Sequence, residues 1–493
     1  MIETQELKRE DLAQHVADMR IASEADPAYF VSNHLGDTLW SKQREIAMSV
    51  RNNPITTVRS CHGIGKSYTA ARLAIWYLLN YDDSIVVTTA PTFRQVEQII
   101  WREMRSAKKL AKLPIPGKML KTRFDISEEW YALGLSSDDA DKIQGFHPKS
   151  GHIFVIVDEA AGVDEDTYIA VESILSSMYA RALFIGNPTA LAGTFYKSHH
   201  QDPNAKKIHV SCFDTPNFTN NGIRNLEDLM AVDMSKIEIV APYLITPQWV
   251  KDKVRKWGVD SPMFQARCLG NFPSAEVNTL IPLNVIEMAA TPERKKALKA
   301  GDPFTGVDVA RYGDDETVIA PRLGGIFEKL QVSNKEATTA TTGRVKLLPA
   351  QSAIAVDSDG VGGPVADMLK EDGFDNIIEI YNNSTALPDN SGLKFVNLRS
   401  QMWWYAAERF KAGDVYIPED DEELQSQLAT PRYTITRQGI AVETKDEIKK
   451  RIKVSPDRAD AVVYSLGADF LHAADQVQAT VGRKYEDNQE KEW

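Results

Sequence analysis

Between residues 55 and 212 the chain is written in short apolar runs separated by segments of helical spacing. The runs ITTVRS (55–60), SIVVTTAP (84–91), HIFVIVDEAAG (152–162), RALFIGNPT (181–189) and KKIHVSC (206–212) are continuous rather than alternating. That is the pattern of strands covered on both faces of a parallel sheet. Residues 1–240 therefore read as polar helical material leading into an α/β domain. Residues 241–300 are punctuated by proline and asparagine and read as a linker of connecting helices. A second rhythm starts at 301. FTGVDVARYGDDETVIAP (304–321) predicts a hairpin, AIAVDSDGVGGPVADMLKEDG (353–373) a buried strand passing through glycines into a helix, and 432–471 another hairpin and a closing helix. Residues 301–472 are thus a second α/β domain, and 473–493 a polar, flexible tail.

Bulk properties narrow the class. A chain of 493 residues exceeds one ordinary core, and 43% hydrophobic with 26% charged residues can bury sizeable cores under a solvated surface. The first twenty residues lack the apolar run of a secretory signal, and no stretch approaches the roughly 20 apolar residues of a membrane helix. Cys61, Cys212 and Cys268 are far apart and odd in number, which argues against a disulfide framework or a zinc ribbon and predicts a reducing, cytosolic setting. A net charge of −12 counts against a nucleic-acid partner unless basic residues are concentrated locally.

Two constellations carry chemistry. RSCHGIGKS (59–67) ends as a phosphate loop, although Ser60 stands where the G-x-x-x-x-G-K-S/T pattern has its first glycine. It follows an apolar strand and opens a strongly helical segment, the context such a loop requires. Gly63 and Gly65 would let backbone N–H groups close on phosphate, Lys66 would reach the β- and γ-phosphates, and Ser67 would ligate Mg²⁺. Downstream, a buried strand ends in Asp158-Glu159, placing Asp158 to hold Mg²⁺ through water and Glu159 to orient the hydrolytic water. Gln43 either reads an adenine edge, with Trp40 on the base, or belongs to an ordinary amphipathic helix. Asn187 and Thr189, at the end of another apolar run, either sense the γ-phosphate or form a simple turn. Arg59 either touches phosphate in cis or is a solvated strand end.

The second constellation is acidic. Asp308 and Asp357 lie in apolar strands and Asp460 in the opening turn of an apolar helix, with Asp314, Asp315, Asp359 and Asp457 as substitutes. Strand hairpin, later strand and C-terminal helix, each bearing one acid, is the order of a ribonuclease H-like fold. Three converging carboxylates would bind two Mg²⁺ or Mn²⁺ ions for phosphodiester hydrolysis. Lys445, Lys449, Lys450, Arg451 and Lys453 crowd just before the third acid and would attract a polyanion.

In this order and spacing, RSCHGIGKS, VIVDEAAGV, FIGNPT, GVDVARYGDDETVI, AVDSDGVGG and SPDRADAVVYSL resemble the large terminase subunits of tailed bacteriophages, over about residues 35–470. The resemblance implies an N-terminal P-loop ATPase of the ASCE type, with a mostly parallel sheet, joined to a ribonuclease H-like nuclease. Lys66 and Ser67 match the Walker A positions, Asp158 and Glu159 Walker B, Gly186-Asn187-Pro188 the coupling motif, and Asp308, Asp357 and Asp460 the nuclease acids. The implied activity is ATP-driven translocation of double-stranded DNA into a procapsid and endonucleolytic cutting of the concatemer. The implied partners are DNA, a portal protein and a small terminase subunit, with a monomer in isolation and a ring on the portal. No membrane is involved, and the setting is the cytoplasm of the bacterial host, with transient docking on the procapsid. An arginine finger is supplied by Arg59 in cis or by Arg102, Arg105 or Arg123 in trans. The alternative is a helicase- or restriction-like ATP-dependent DNA nuclease.

Overall fold

The computed structural model describes residues 18–136, 143, 145–273, 278–310, 315–349, 352–359, 361–388 and 392–471. The tail 473–493 and Asp314 lie outside the described residues. The chain divides into two units, Met1–Lys253 with Phe264–Pro273, and Val254–Met263 with Ser274–Trp493. The segment 241–300 contains the helices Pro247–Trp257, Pro262–Arg267, Leu283–Ala289 and Pro292–Ala297, and is shared between the units.

In the first unit the apolar runs become β1 (Ile55–Ser60), β2 (Ile85–Ala90), β6 (Ile153–Asp158), β7 (Arg181–Gly186) and β8 (Ala205–Val210). Three strands absent from the apolar reading join them: β3 (Lys118–Met119), β4 (Arg123–Asp125) and β5 (Tyr131–Ser136). β3 and β4 are too short to show a period, and β5 alternates buried and half-buried positions. The sheet order is β3-β4-β5-β2-β6-β7-β1-β8. It is parallel from β5 to β8, and β3-β4-β5 form an antiparallel margin. Every residue of β2 and β6 is buried, which is why their sequences do not alternate. Each buried Val or Ile there contributes about 1.5–3 kcal/mol. One strand, β7, lies between β1 and β6, the arrangement of an ASCE-type ATPase. It brings the ends of three strands that are distant in sequence onto one edge, where open α/β sheets bind ligands.

The second unit holds β9 (Pro303–Asp308), β10 (Glu316–Leu323), β11 (Ile326–Phe327), β12 (Gln331–Asn334), β13 (Ala353–Asp357) and β14 (Ile377–Ile380). Their order is β11-β10-β9-β13-β14, with β12 also on β10. β10 runs antiparallel to β9, β11 and β12, whereas β9, β13 and β14 are parallel. This is the ribonuclease H-like sheet. A separate hairpin, β15 (Tyr433–Thr436) and β16 (Gly439–Val442), stands where the second hairpin is predicted. The closing helix, 457–471, lies so close on β9 that a Cβ on Gly306 would stand 2.0 Å from Ala461 O and 2.4 Å from Ser465 N. Only glycine permits that approach. The helix Leu398–Ala412 buries Arg399, Ser400 and Gln401 beside Leu398, Met402 and Trp403, so its inner face is not a plain apolar stripe. Among the described residues no helix is long and apolar enough to cross a membrane.

Candidate functional site

In the first unit the site begins where β1 ends. Ser60 is the last residue of that strand and is extended, a conformation needing no glycine, which accounts for the departure from the usual loop pattern. Gly63 and Gly65 have φ of 64° and 77°. Gly65 caps the helix Lys66–Asn80, so this helix starts directly from the loop with its N–H groups open to an anion. Gln43 is buried beneath the loop. Its Nε2 donates to Ile64 O at 3.0 Å and its Oε1 accepts from Trp40 N at 3.3 Å, while Trp40 Nε1 also donates to Ile64 O. The amide is thus engaged in bracing the loop.

A side chain on Gly65 would meet that brace. The left-handed backbone costs an L-residue about 1–2 kcal/mol, and a Cβ would stand 2.7 Å from Gln43 Nε2. Gly65→Ala is expected to weaken binding of a non-hydrolysable ATP analogue by about tenfold or more, the equivalent of about 1.4 kcal/mol. Titration calorimetry measures it, and an unchanged Kd would show that the loop does not need this conformation.

Around the loop the downstream residues assemble. Ser67 Oγ donates to Asp158 Oδ2 at 2.7 Å. Lys66 Nζ donates to Asn187 Oδ1 at 3.1 Å and lies 3.9 Å from Glu159 Oε1. Asn187 reaches back through Nδ2 to Ser60 O at 2.6 Å, and its Oδ1 also meets His62 Nδ1 at 3.1 Å. The end of β7 is therefore tied to both ends of the phosphate loop. Thr189 is buried, with its backbone N–H on Asn187 O. Burial, followed by the adjacent Glu159, pushes Asp158 up to about 6, against the pull of Ser67 and Lys66. Burial, then Lys66 and Arg267, holds His62 down at about 3, so its imidazole is neutral near pH 7. Glu159 has φ of 48°, rare for a residue with a side chain and worth about 1–3 kcal/mol of strain. The turn holding it is secured by Tyr168, whose hydroxyl donates to Ala160 O at 2.6 Å.

The arginines are occupied differently. Arg59 Nη1 donates to Gly270 O at 2.7 Å and to Asn271 Oδ1 at 2.9 Å. Arg105 donates to the carbonyls of Lys121 and Glu97, and Arg123 pairs with Asp125 at 2.6 Å. Arg102 is exposed, 4.0 Å from Glu103.

In the second unit Asp308 ends β9 and Asp357 ends β13, each one residue beyond the Val307–Val356 pair, so the two acids share one edge of the sheet. The helix 457–471, admitted by Gly306, adds Asp457 and Asp460. Lys445 Nζ stands between Asp308 Oδ2 at 2.9 Å and Asp457 Oδ1 at 2.7 Å. Asp457 is otherwise held by Ser455 Oγ and by the Glu316 N–H. Asp357 accepts from Tyr464 Oη at 3.0 Å and from the Asp359 N–H, and Asn382 Nδ2 supports Tyr464 Oη at 3.0 Å. Asp460 accepts from Arg399 and Trp403. Asp359 is turned aside, its Oδ2 accepting from Asn382 N.

Burial is the largest influence on Asp308 and pushes it up to about 8; Lys445 opposes this, while Asp457, Asp460 and Asp357 add to it. Burial likewise raises Asp357. Burial disfavours the Lys445 charge, yet Asp308, Asp457 and Asp460 hold it well above the usual lysine range. Among the described residues no three His, Cys, Asp or Glu side chains converge as a ready metal cage. The ammonium of Lys445 and the guanidinium of Arg399 instead take up part of the acids' charge. The all-oxygen donor set nevertheless suits a hard divalent ion, and Asp460 Oδ2 is buried without a hydrogen-bond partner.

The basic run contributes less free charge than its sequence suggests. Lys449 pairs with Asp315 and Arg451 with Glu443 and Thr430 O, whereas Lys450 and Lys453, the left-handed C-cap of the helix Lys445–Ile452, are exposed. Arg399, Trp403, Tyr464, Asn382, Gly306 and His62 were not singled out from sequence. Of these, only His62, inside the phosphate loop, carries a local signal.

A family model described as "Terminase large subunit, T4likevirus-type, N-terminal" matches residues 61–230. A probable terminase large subunit of Enterobacteria phage P7 is 23% identical over 459 residues, covering 88% of this chain and 88% of the relative. The nuclease domain of the large terminase subunit of bacterial virus Sf6 is 20% identical with a TM-score of 0.34, covering 38% of this chain and 98% of that one. The P7 relative aligns across both units and the family model spans Gly63–Ser67, Asp158-Glu159 and Asn187, so the chain is similar to terminase large subunits along most of its length.

Proposed function

We propose that this chain is a genome-packaging motor, hydrolysing ATP to drive double-stranded DNA into a procapsid and cutting the concatemer with a metal-dependent endonuclease. The observation that carries the reading is the pairing, within one chain, of a phosphate loop tied to Asp158, Glu159 and Asn187 with a separate cluster of Asp308, Asp357, Asp457 and Asp460.

In the first unit, Gly63, Gly65 and the start of the helix Lys66–Asn80 would cradle the phosphates, and Ser67 with Asp158 would hold Mg²⁺, which neutralises phosphate charge when bound. Lys66 is parked on Asn187 and near Glu159, so phosphate offers it a stronger partner than either. Its departure releases Glu159 and leaves Asn187 Oδ1 with His62 alone, which links nucleotide occupancy to the end of β7. Glu159 then orients water for attack. In the second unit, Asp308, Asp357 and Asp460 would hold Mg²⁺ or Mn²⁺, which activates water and stabilises the leaving oxygen when bound. Lys445 bridges Asp308 and Asp457 and would give up those contacts to a bound metal. The exposed Lys450 and Lys453 attract the DNA backbone. The partners are a portal protein and a small terminase subunit, with the chains ringed on the portal in the cytoplasm of the host.

The test is a packaging reaction with procapsids bearing their portal, the small subunit, linear duplex DNA and ATP. ATP-dependent protection of DNA from added nuclease is expected. Duplex unwinding or degradation without protected DNA would replace this reading with the helicase- or restriction-like one.

A further inference from the structure

Asp460 has no exposed surface. Its Oδ1 accepts from Arg399 Nη1 at 2.7 Å and from Trp403 Nε1 at 3.0 Å, whereas Oδ2 has no hydrogen-bond partner. A buried carboxylate oxygen left in this way is costly unless a cation meets it.

The donors are unusual in how little else they do. Arg399 is buried, and among the described residues its side chain makes one hydrogen bond, to Asp460, while Nε and Nη2 have no partner. Arginines with a supporting role in this unit spend their donors broadly. Arg322 binds Ser465 O twice, Gly324 O and Asp469, and Arg451 binds both Glu443 oxygens and Thr430 O. Arg399 and Trp403 are four residues apart, on one face of the helix Leu398–Ala412. The first turn of that helix is pinned by Asn397 Oδ1, which accepts from Ser400 N at 2.9 Å, and by the Arg399 N–H on Asn382 O at 3.0 Å. Backbone and spacing thus aim both donors at one oxygen of one acid.

We propose that Arg399 and Trp403 are positioning residues for the nuclease site, occupying Oδ1 of Asp460 and neutralising it so that Oδ2 is its single metal-accepting oxygen. The proposal rests on the nuclease reading above. Asp460 is a one-oxygen ligand, and its direction is set by the helix Leu398–Ala412 rather than by its own.

The experiment is Mn²⁺ titration calorimetry on the full chain without nucleotide, with plasmid cleavage in parallel. Arg399→Met is expected to weaken Mn²⁺ binding about 10–100-fold, the range for partners that orient a metal ligand. Asp460→Asn should lose as much, and the double variant no more than either single one. Arg399→Lys, which restores charge, should bind more tightly than Arg399→Met. A folded Arg399→Met chain, shown by circular dichroism and intact ATP hydrolysis, with wild-type Mn²⁺ affinity overturns the proposal. If that variant does not fold, Trp403→Phe removes one donor at nearly constant volume. About tenfold weaker Mn²⁺ binding there supports the proposal, and unchanged binding overturns it. Asp308→Asn separates the two readings: if it binds Mn²⁺ as the wild type does, the nuclease site itself fails and the proposal with it. If Asp308→Asn loses binding and Arg399→Met does not, only the proposal fails.

Discussion

Glu159→Gln is expected to lower the rate of DNA-stimulated ATP hydrolysis by about 10²- to 10⁴-fold, the range for a positioned general base, while leaving the Kd for a non-hydrolysable ATP analogue within a few-fold of wild type. Glutamine keeps the volume and the polar contacts of the side chain but cannot take a proton. Glu159 sits at the end of a fully buried strand, in a left-handed conformation that the surrounding turn enforces. The backbone thus pays strain to aim this one carboxylate, an expense usual at functional sites. Lys66→Ala should differ in kind, losing analogue affinity as well as turnover, because its ammonium is the buried cation of the loop. Phosphate release and calorimetry on the two variants check this. Hydrolysis by Glu159→Gln within tenfold of wild type would remove the assigned role, and Mn²⁺-dependent cleavage in the same preparation serves as the folding control.

Asp308→Asn should abolish plasmid cleavage in Mn²⁺, a loss of about 10³-fold or more if the metal-held water supplies the nucleophile, with ATP hydrolysis unchanged. A second readout follows from the environment of this acid. Burial pushes Asp308 up to about 8, so near pH 7 the metal-free cluster retains a proton that a coordinating carboxylate must release. Mn²⁺ uptake near neutral pH is therefore accompanied by proton release, which fades as pH rises above the raised range of this carboxylate. The sign is that of a raised carboxylate: higher pH favours the anion and hence the metal. Calorimetry in buffers of different ionisation enthalpy measures the release, which Asp308→Asn should lose. Cleavage surviving in Asp308→Asn, or uptake without proton release at pH 7, contradicts the assignment.

Much of the architecture was legible because burial leaves a direct imprint on residue order. Strands covered on both faces do not alternate, so the runs of β2, β6 and β7 announce themselves, while β8, at the sheet edge with Lys206 and Lys207 exposed, shows a shorter apolar run, and the hairpin of β9 and β10 is visible as two strand-like runs around glycine and aspartate turn residues. β3, β4 and the mixed face of the helix Leu398–Ala412 left no such imprint, the first two through shortness and the last because it buries polar residues that find partners only in three dimensions.

The candidate sites divide along the same line. The residues with the chemistry are readable in the linear order: glycines followed by Lys66 and Ser67, a strand ending in Asp158-Glu159, and acids inside apolar strands at Asp308 and Asp357. Those are costs that local sequence exposes, since a carboxylate in a buried strand is expensive wherever the strand goes. Which of them meet is set by the fold. Asn187 reaches both Lys66 and Ser60 because β7 lies between β1 and β6, an order that no local pattern encodes. Gln43, read as a base contact or an ordinary helix residue, proves to brace the loop. Lys445, read as part of a basic run, proves to bridge Asp308 and Asp457. Arg399 and Trp403 looked like any polar and aromatic pair one helical turn apart until the helix 457–471, let down onto β9 by Gly306, brought Asp460 to them. Arg399 and Asp460, Lys66 and Asn187, and Lys445 and Asp308 are 61, 121 and 137 residues apart, brought together by strand order and close packing, so the cost of burying Asp308 and Asp460 is written locally while its compensation is not.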